Sequence, residues 1–395
     1  MINLNVRYKV GALMLALVGS SGLAIGQDDV SPYQLDVSYI HDAWRNTHGG
    51  LTVGDRNLDY AEVAFQADGG ALWNLPQLKF FASANYTNGQ SVSGDLTGDA
   101  QAISNIEAVK AVRMGELWAE WNMSPRSSFR TGLYNLNGEF DCIDSGALFL
   151  NSSHGIGIDL SQSGLNGPSI FPVTAFAGRL RVTIDSAWSL FMAATEGVPG
   201  DPNRPKRTVM HFEDQEGALL IAEANRVGTR LRKFGIGTWR YTSELERIDS
   251  TDSGARSRSA GAYALADMKL YSPDASSDRG LTAFIRYGVA NESVNRFGNY
   301  TGTGLTYTGV LADDDQVGFA VARAKNSDVY RHAQALGGLA TDAAETNLEL
   351  TWRFGVSEWL TLQPDLQYIR HPETDPSVND AFAVGVRFEI EHSFF

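Results

Sequence analysis

The residues best placed to do chemistry are charged and aromatic side chains at alternate positions of short segments. Glu116, Trp118 and Glu120 project together from an extended chain, opposite Leu117, Ala119 and Trp121. Arg130 and Tyr134 share a face opposite Phe129 and Leu133, and Arg179 and Arg181 share one opposite Leu180 and Val182. Residues 136–172 carry Glu139, Asp141, Asp144 and Asn151. Facing carboxylates and guanidiniums offer oriented hydrogen-bond acceptors and donors, which suit a hydroxyl-rich solute. The aromatic faces of Trp118, Tyr134 and Phe81 can stack on a flat ring. Bond-breaking chemistry has less support. Asp141 and Asp144 are near enough to raise the idea of a glycosidase pair, but with 46 acids in the chain the spacing is not specific. There is no G-x-S-x-G elbow, H-E-x-x-H, Walker A or Rossmann glycine pattern. Seven scattered histidines and the lone Cys142 form no metal motif, so no metal and no cofactor is expected. The formal charge of −14 argues against nucleic acid as a partner.

The elements that must hold these residues are strands. Over the last fifteen residues, Phe382, Val384, Val386, Phe388 and Ile390 alternate with Ala381, Ala383, Gly385, Arg387, Glu389 and Glu391. The result is one oily face and one wet, charged face, closing on Phe395. The same period of two predicts sixteen strands, near 34–43, 58–67, 77–86, 112–122, 128–136, 173–183, 187–195, 217–224, 231–241, 260–270, 280–290, 304–311, 315–324, 345–355, 359–369 and 381–393. Alternation is poorest in 217–224 and 304–311. Connections after odd strands read as long and polar, and those after most even strands as short. That parity is expected of a transmembrane antiparallel β-barrel with long external loops, and a soluble β-protein has no reason to show it. Trp359 and Tyr368 bracket one strand as interface aromatics would. A lipid-facing arginine at the bilayer midplane costs about 2–4 kcal/mol, so the strand charges should face the lumen.

Arg7 and Lys9, the apolar run Val10–Val18 and small residues up to Gly26 form a signal-peptide pattern over residues 1–26. The barrel domain is then 27–395, and an exported chain with one cysteine has no internal disulfide.

Several long stretches go further: GALWNLPQLKFFASANYTNGQSVSG (70–94), GELWAEWNM (115–123), FRTGLYNLNGEFDCIDSGALFLNSSHGIG (129–157), LTLQPDLQYIRHP (360–372) and the closing GVRFEIEHSFF. On these the chain resembles the carbohydrate-selective porins of Gram-negative outer membranes, which more often carry an aromatic where His154 stands. The resemblance implies a sixteen-stranded outer-membrane barrel that passes small saccharides by passive diffusion, with the lipid bilayer as its surroundings. It also implies a terminal aromatic, Phe395, read by the barrel-assembly machinery. A sixteen-stranded lumen must be narrowed to select anything. The stretch 136–172, anchored by Ala147–Leu150, is expected to fold inward and set Glu139, Asp141, Asp144 and Asn151 at the constriction. Two other readings fit fewer features: a general or ion-leaning porin, and an outer-membrane or secreted glycan-acting enzyme.

Overall fold

The computed structural model describes residues 31–210, 216–249, 254–273 and 278–394. The expected signal segment and Phe395 lie outside the described residues. Sixteen strands run in chain order: β1 (Tyr33–Gly50), β2 (Gly54–Asp68), β3 (Leu78–Thr87), β4 (Ala111–Ser124), β5 (Ser127–Tyr134), β6 (Ala175–Thr183), β7 (Trp188–Glu196) and β8 (Ala218–Val227). They continue as β9 (Leu231–Tyr241), β10 (Ala260–Tyr271), β11 (Gly280–Ala290), β12 (Phe297–Thr308), β13 (Gln316–Asn326), β14 (Ala344–Ser357), β15 (Leu360–Arg370) and β16 (Asn379–Phe394). Each pairs antiparallel with its sequence neighbours, and β16 pairs with β1 from Leu35–Phe394 to Gly50–Asn379, closing the barrel. Closure leaves no open sheet edge, the condition for crossing a membrane with strands. Among the described residues no helix is long and apolar enough to cross.

The period of two sorts the side chains as the sequence predicts. On β16, Phe388 is 37% exposed on the outer surface while Arg387 beside it is 4% exposed inside. A slip of one residue would put Arg387 and Glu389 into lipid, so the pattern itself fixes the register. The strand expected at 304–311 begins earlier, at Phe297. Its alternation is muted by Gly298, Gly302 and Gly304 on one side and Thr301 and Thr303 on the other. Gly304 is needed there, because a Cβ would lie 2.5 Å from the Phe284 ring of the neighbouring strand.

Three connections break the expected parity, one of them the short link 291–296 after the odd strand β11. The one after β1 is only Leu51–Val53, because β1 and β2 run for 18 and 15 residues, paired from Tyr33–Ala67 to Asn46–Gly54, and absorb the polar stretch between them. The one after β2 carries a short helix, Gly69–Trp73, whose first turn is capped by the Asp68 carboxylate. Two further pieces have no counterpart in the sequence reading. A small ribbon of Leu245–Glu246 with Arg256–Ser257 lies between β9 and β10, and a helix, Asp328–Leu336, lies between β13 and β14.

The lumen is filled by loops. The β5–β6 loop, residues 135–174, folds inward and buries Phe140, Ile143, Leu148 and Phe149 against Trp118, Tyr263 and Phe284 of the wall. Where the sequence suggested one inward loop, two enter. The β3–β4 loop, residues 88–110, buries Val92, Leu96, Ile103 and Ile106 against Ile40, Trp44, Tyr60 and Ile369.

A candidate constriction in the lumen

A loop inside a barrel takes its backbone N–H groups out of reach of a ladder, and each must find another acceptor. The wall supplies carboxylates. Glu116 accepts from Asn135 N (3.0 Å), Glu223 from Asp141 N (2.7 Å) and Asp267 from Ser145 N (3.1 Å). Glu349 takes Leu150 N (2.5 Å) and Asn151 N (3.1 Å) on its two oxygens. The β3–β4 loop is held the same way, with Ala100 N and Gln101 N donating to Glu345 at 2.8 and 3.1 Å.

Loop acids meet wall arginines in return. Arg286 on β11 grips Asp141 through two bonds of 3.0 and 2.8 Å and also donates to Asp159 further along the same loop. Asp141 also accepts from Gly157 N at 3.1 Å, so a single carboxylate ties both halves of the loop to one guanidinium. This clamp is shut off from water, with side-chain exposures of 0% for both acids and 4% for Arg286. Burial pushes the Asp141 carboxyl up to about 6, against the pull of Arg286, so it is still a carboxylate at pH 7. The Cys142 thiol beside it is pushed well up by burial and donates to Asn137 O.

A second ionic cluster lies nearer the periplasmic end. Glu120 and Glu139 bracket Arg130 and Arg179: Arg179–Glu139 is 2.7 Å, Arg179–Glu120 is 3.0 Å and Arg130–Glu120 is 2.7 Å. Tyr134 donates its hydroxyl to Glu139. The Arg130 guanidinium covers the Trp118 ring at 3.8 Å, and Trp118 stacks on Phe81 with centroids 5.2 Å apart. The aromatic faces that the sequence offered to a flat ring are therefore already covered, and Tyr134 is buried. Arg181 lies beside the Phe191 ring at 5.5 Å.

The charges that keep water contact lie apart from the Asp141–Arg286–Asp159 clamp and include part of the second cluster. Asp144 and Arg232 pair at 3.6 Å with 53% and 36% of their side chains exposed. Lys233 (19%) bonds Glu223 and the carbonyl of Cys142, and Glu139 (17%) and Arg130 (13%) complete the group. Asp141 and Asn151, expected on the water side, lie beneath the loop, where the Asn151 side chain accepts from Ser153 N at 3.0 Å. Arg232 and Lys233 are functional candidates that the sequence reading passed over. Consecutive residues of a strand should face opposite ways, but the β9–β10 register shifts between Asp267–Lys233 and Met268–Leu231. That bulge turns Arg232 inward as well.

With this geometry in hand, comparison with known proteins decides the family. Residues 53–392 match the model of the carbohydrate-selective porin OprB family. The chain belongs to that family. Porin B of Pseudomonas aeruginosa is 22% identical over 90% of this chain and 87% of its own length. The high-pH structure of Pseudomonas putida OprB superposes with a TM-score of 0.80 at 20% identity, covering 91% of this chain and 94% of that one. The Acinetobacter baumannii outer-membrane channel DcaP shares the barrel at a TM-score of 0.55 and 10% identity, over 91% and 97% of the two chains. This porin is thus an outer-membrane channel for carbohydrate uptake, set in the lipid bilayer. Its His154 sits between Phe149 (5.1 Å) and Phe284 (5.8 Å), an imidazole packed among aromatic rings.

Proposed function

We propose that saccharides cross the lumen along the water-facing charges of the β5–β6 loop and the β5, β6 and β9 walls. Arg130, Glu139, Arg181, Asp144, Arg232 and Lys233 would form the rail. The observation that carries this reading is a division of labour. The Asp141–Arg286–Asp159 clamp is closed to water, whereas Asp144, Arg232, Lys233, Glu139 and Arg130 keep part of their surface free. A neutral polyol can exchange hydrogen bonds with alternating donors and acceptors without carrying a counter-ion. Glu116, Glu120, Arg179, Trp118, Tyr134, Asp141 and Asn151 then act by fixing the loop and not by touching the solute. Passage is passive and no bond is broken. The acids considered for hydrolysis are an exposed Asp144 and an Asp141 already paired with Arg286. Liposome swelling with monosaccharides and disaccharides, beside an assay for release of reducing ends, tests both parts. Hydrolysis, or swelling no faster than in protein-free vesicles, would refute the reading.

Two further parts of the proposal concern biogenesis. The mature chain is expected to begin at Gln27, and mass spectrometry of the membrane-extracted protein checks it. Phe395 is expected to be read by the assembly machinery. Deleting it should lower the yield of folded barrel far more than Ser393→Ala does, and equal yields would contradict this.

A further inference from the structure

We infer that a cavity at the extracellular mouth binds a monosaccharide that carries one anionic group. The cavity has a volume of about 360 Å³, the small end for ligand sites and room for a single sugar ring. Arg113 of β4, Asn166, Ile170 and Phe171 of the β5–β6 loop, and Asp201 and Arg207 of the β7–β8 connection line it. Arg113 is 2% exposed, and all of its hydrogen bonds go to neutral oxygens. These are Pro205 O at 3.3 and 2.8 Å, Val109 O at 3.2 Å and Thr87 Oγ1 at 3.5 Å.

Its situation is unlike that of five other inward arginines. Arg130, Arg179, Arg286, Arg353 and Arg387 each meet a carboxylate within 3.0 Å. A buried guanidinium is normally paired, and an unmatched one costs free energy until an anion reaches it. Asp201 is drawn aside to Arg204 at 3.6 Å, and Arg207 adds a second positive charge on the exposed rim. Two guanidiniums and one engaged acid leave the cavity electropositive in a chain of net charge −14. Carboxylate and phosphate both suit the guanidinium fork. Ile170 and Phe171 offer an apolar wall to the ring carbons, which a bare anion would not need.

The inference rests on the chain being a saccharide channel, but its failure is separable, because Arg207 lies outside the path proposed for neutral sugars. The test is calorimetric titration of the detergent-purified full-length protein with glucuronate, glucose 6-phosphate, glucose, acetate and inorganic phosphate. Either anionic sugar, or both, should bind at least tenfold more tightly than glucose and than the bare anions. Arg207→Gln should remove most of that preference while leaving glucose-driven liposome swelling unchanged. Arg113→Gln should remove it entirely. It also releases bonds to Pro205, so the Arg207 variant is the cleaner test of the two. Equal binding of glucose and both anionic sugars would overturn the inference. Bare anions binding as tightly as the sugars would do the same, as would a preference that survives Arg207→Gln.

Discussion

Replacing Asp141 by Asn tests the loop clamp with almost no change in shape. The substitution removes the anion held by Arg286 through bonds of 3.0 and 2.8 Å, and it puts an amide donor near both that guanidinium and the Gly157 N–H. Deleting one partner of a buried ion pair costs about 3–5 kcal/mol, because the other charge is left unmatched. Asp159 still contacts Arg286, which places the expected cost at the low end, about 3 kcal/mol. At about 1.4 kcal/mol per decade, the equilibrium between docked and released loop shifts roughly 10²-fold. The loop 135–174 contains no Lys or Arg, so chymotrypsin at Phe140 and Phe149 is the suitable probe. Cleavage within the loop should accelerate by about two orders of magnitude, since proteolysis tracks the open population when reclosing is fast. Single-channel conductance should rise and become noisy. Asp55→Asn, which breaks the Arg45–Asp55 pair with exposures of 56% and 65%, is the control and should change neither. Asp141→Asn cleaved and conducting like the wild type would refute the claim that this carboxylate holds the loop.

Three other perturbations follow from the same contacts. Burial lowers the His154 imidazole to about 3 and leaves both ring nitrogens without a partner. At this residue the unfolded chain therefore binds one more proton than the folded one between about pH 3 and 6.5, and its contribution to stability falls as pH drops through that window, by roughly 2 kcal/mol from 6.5 to 5. His154→Phe should abolish that slope and add about 1–3 kcal/mol at pH 5, read by urea unfolding at pH 7 and 5; a slope identical in the variant counts against it. Asp144→Asn should raise the anion-to-cation permeability ratio and Arg232→Gln should lower it. Each change should be roughly two- to fivefold, since one charge at about 4 Å in water is worth about 1 kcal/mol, and reversal potentials in a salt gradient would expose the wrong sign. Gly237→Val should behave like a mild clamp mutant. A Cβ there lies 2.1 Å from the Tyr263 ring, whose hydroxyl donates to Glu223 at 2.5 Å, the acceptor of Asp141 N. A cost of about 1–3 kcal/mol and a raised conductance are expected, and unchanged conductance would argue against this relay.

The wall of the barrel was legible in the sequence because lipid imposes a strict rule on every second residue. Phe382 to Ile390 could face only one way, and Arg387 and Glu389 only the other. The hairpin of β1 and β2 was harder to bound, since its paired outer ends carry polar residues such as Arg45 and Asp55 outside the apolar alternation. The inward course of the β5–β6 loop could be inferred from its apolar anchor at Leu148–Phe149. The same criterion applied to Val92, Leu96, Ile103 and Ile106 would have found the second inward loop. What could not be read were pairings across the lumen. Asp141 meets Arg286, and Glu349 meets Leu150 and Asn151, because of the stagger of sixteen strands, which no local pattern encodes. Arg232 was hidden by a bulge visible only in the register of β9 against β10.

The central claim is that a saccharide exchanges hydrogen bonds with fixed charges beside the docked β5–β6 loop. Single-channel current through the wild-type protein, recorded while glucose is raised on one side, tests it most directly. A saturable fall in conductance, beyond what solution viscosity explains and lost when Glu139, Asp144 and Arg232 are neutralised together, is the predicted result. A fall that tracks viscosity alone and never saturates would contradict the account.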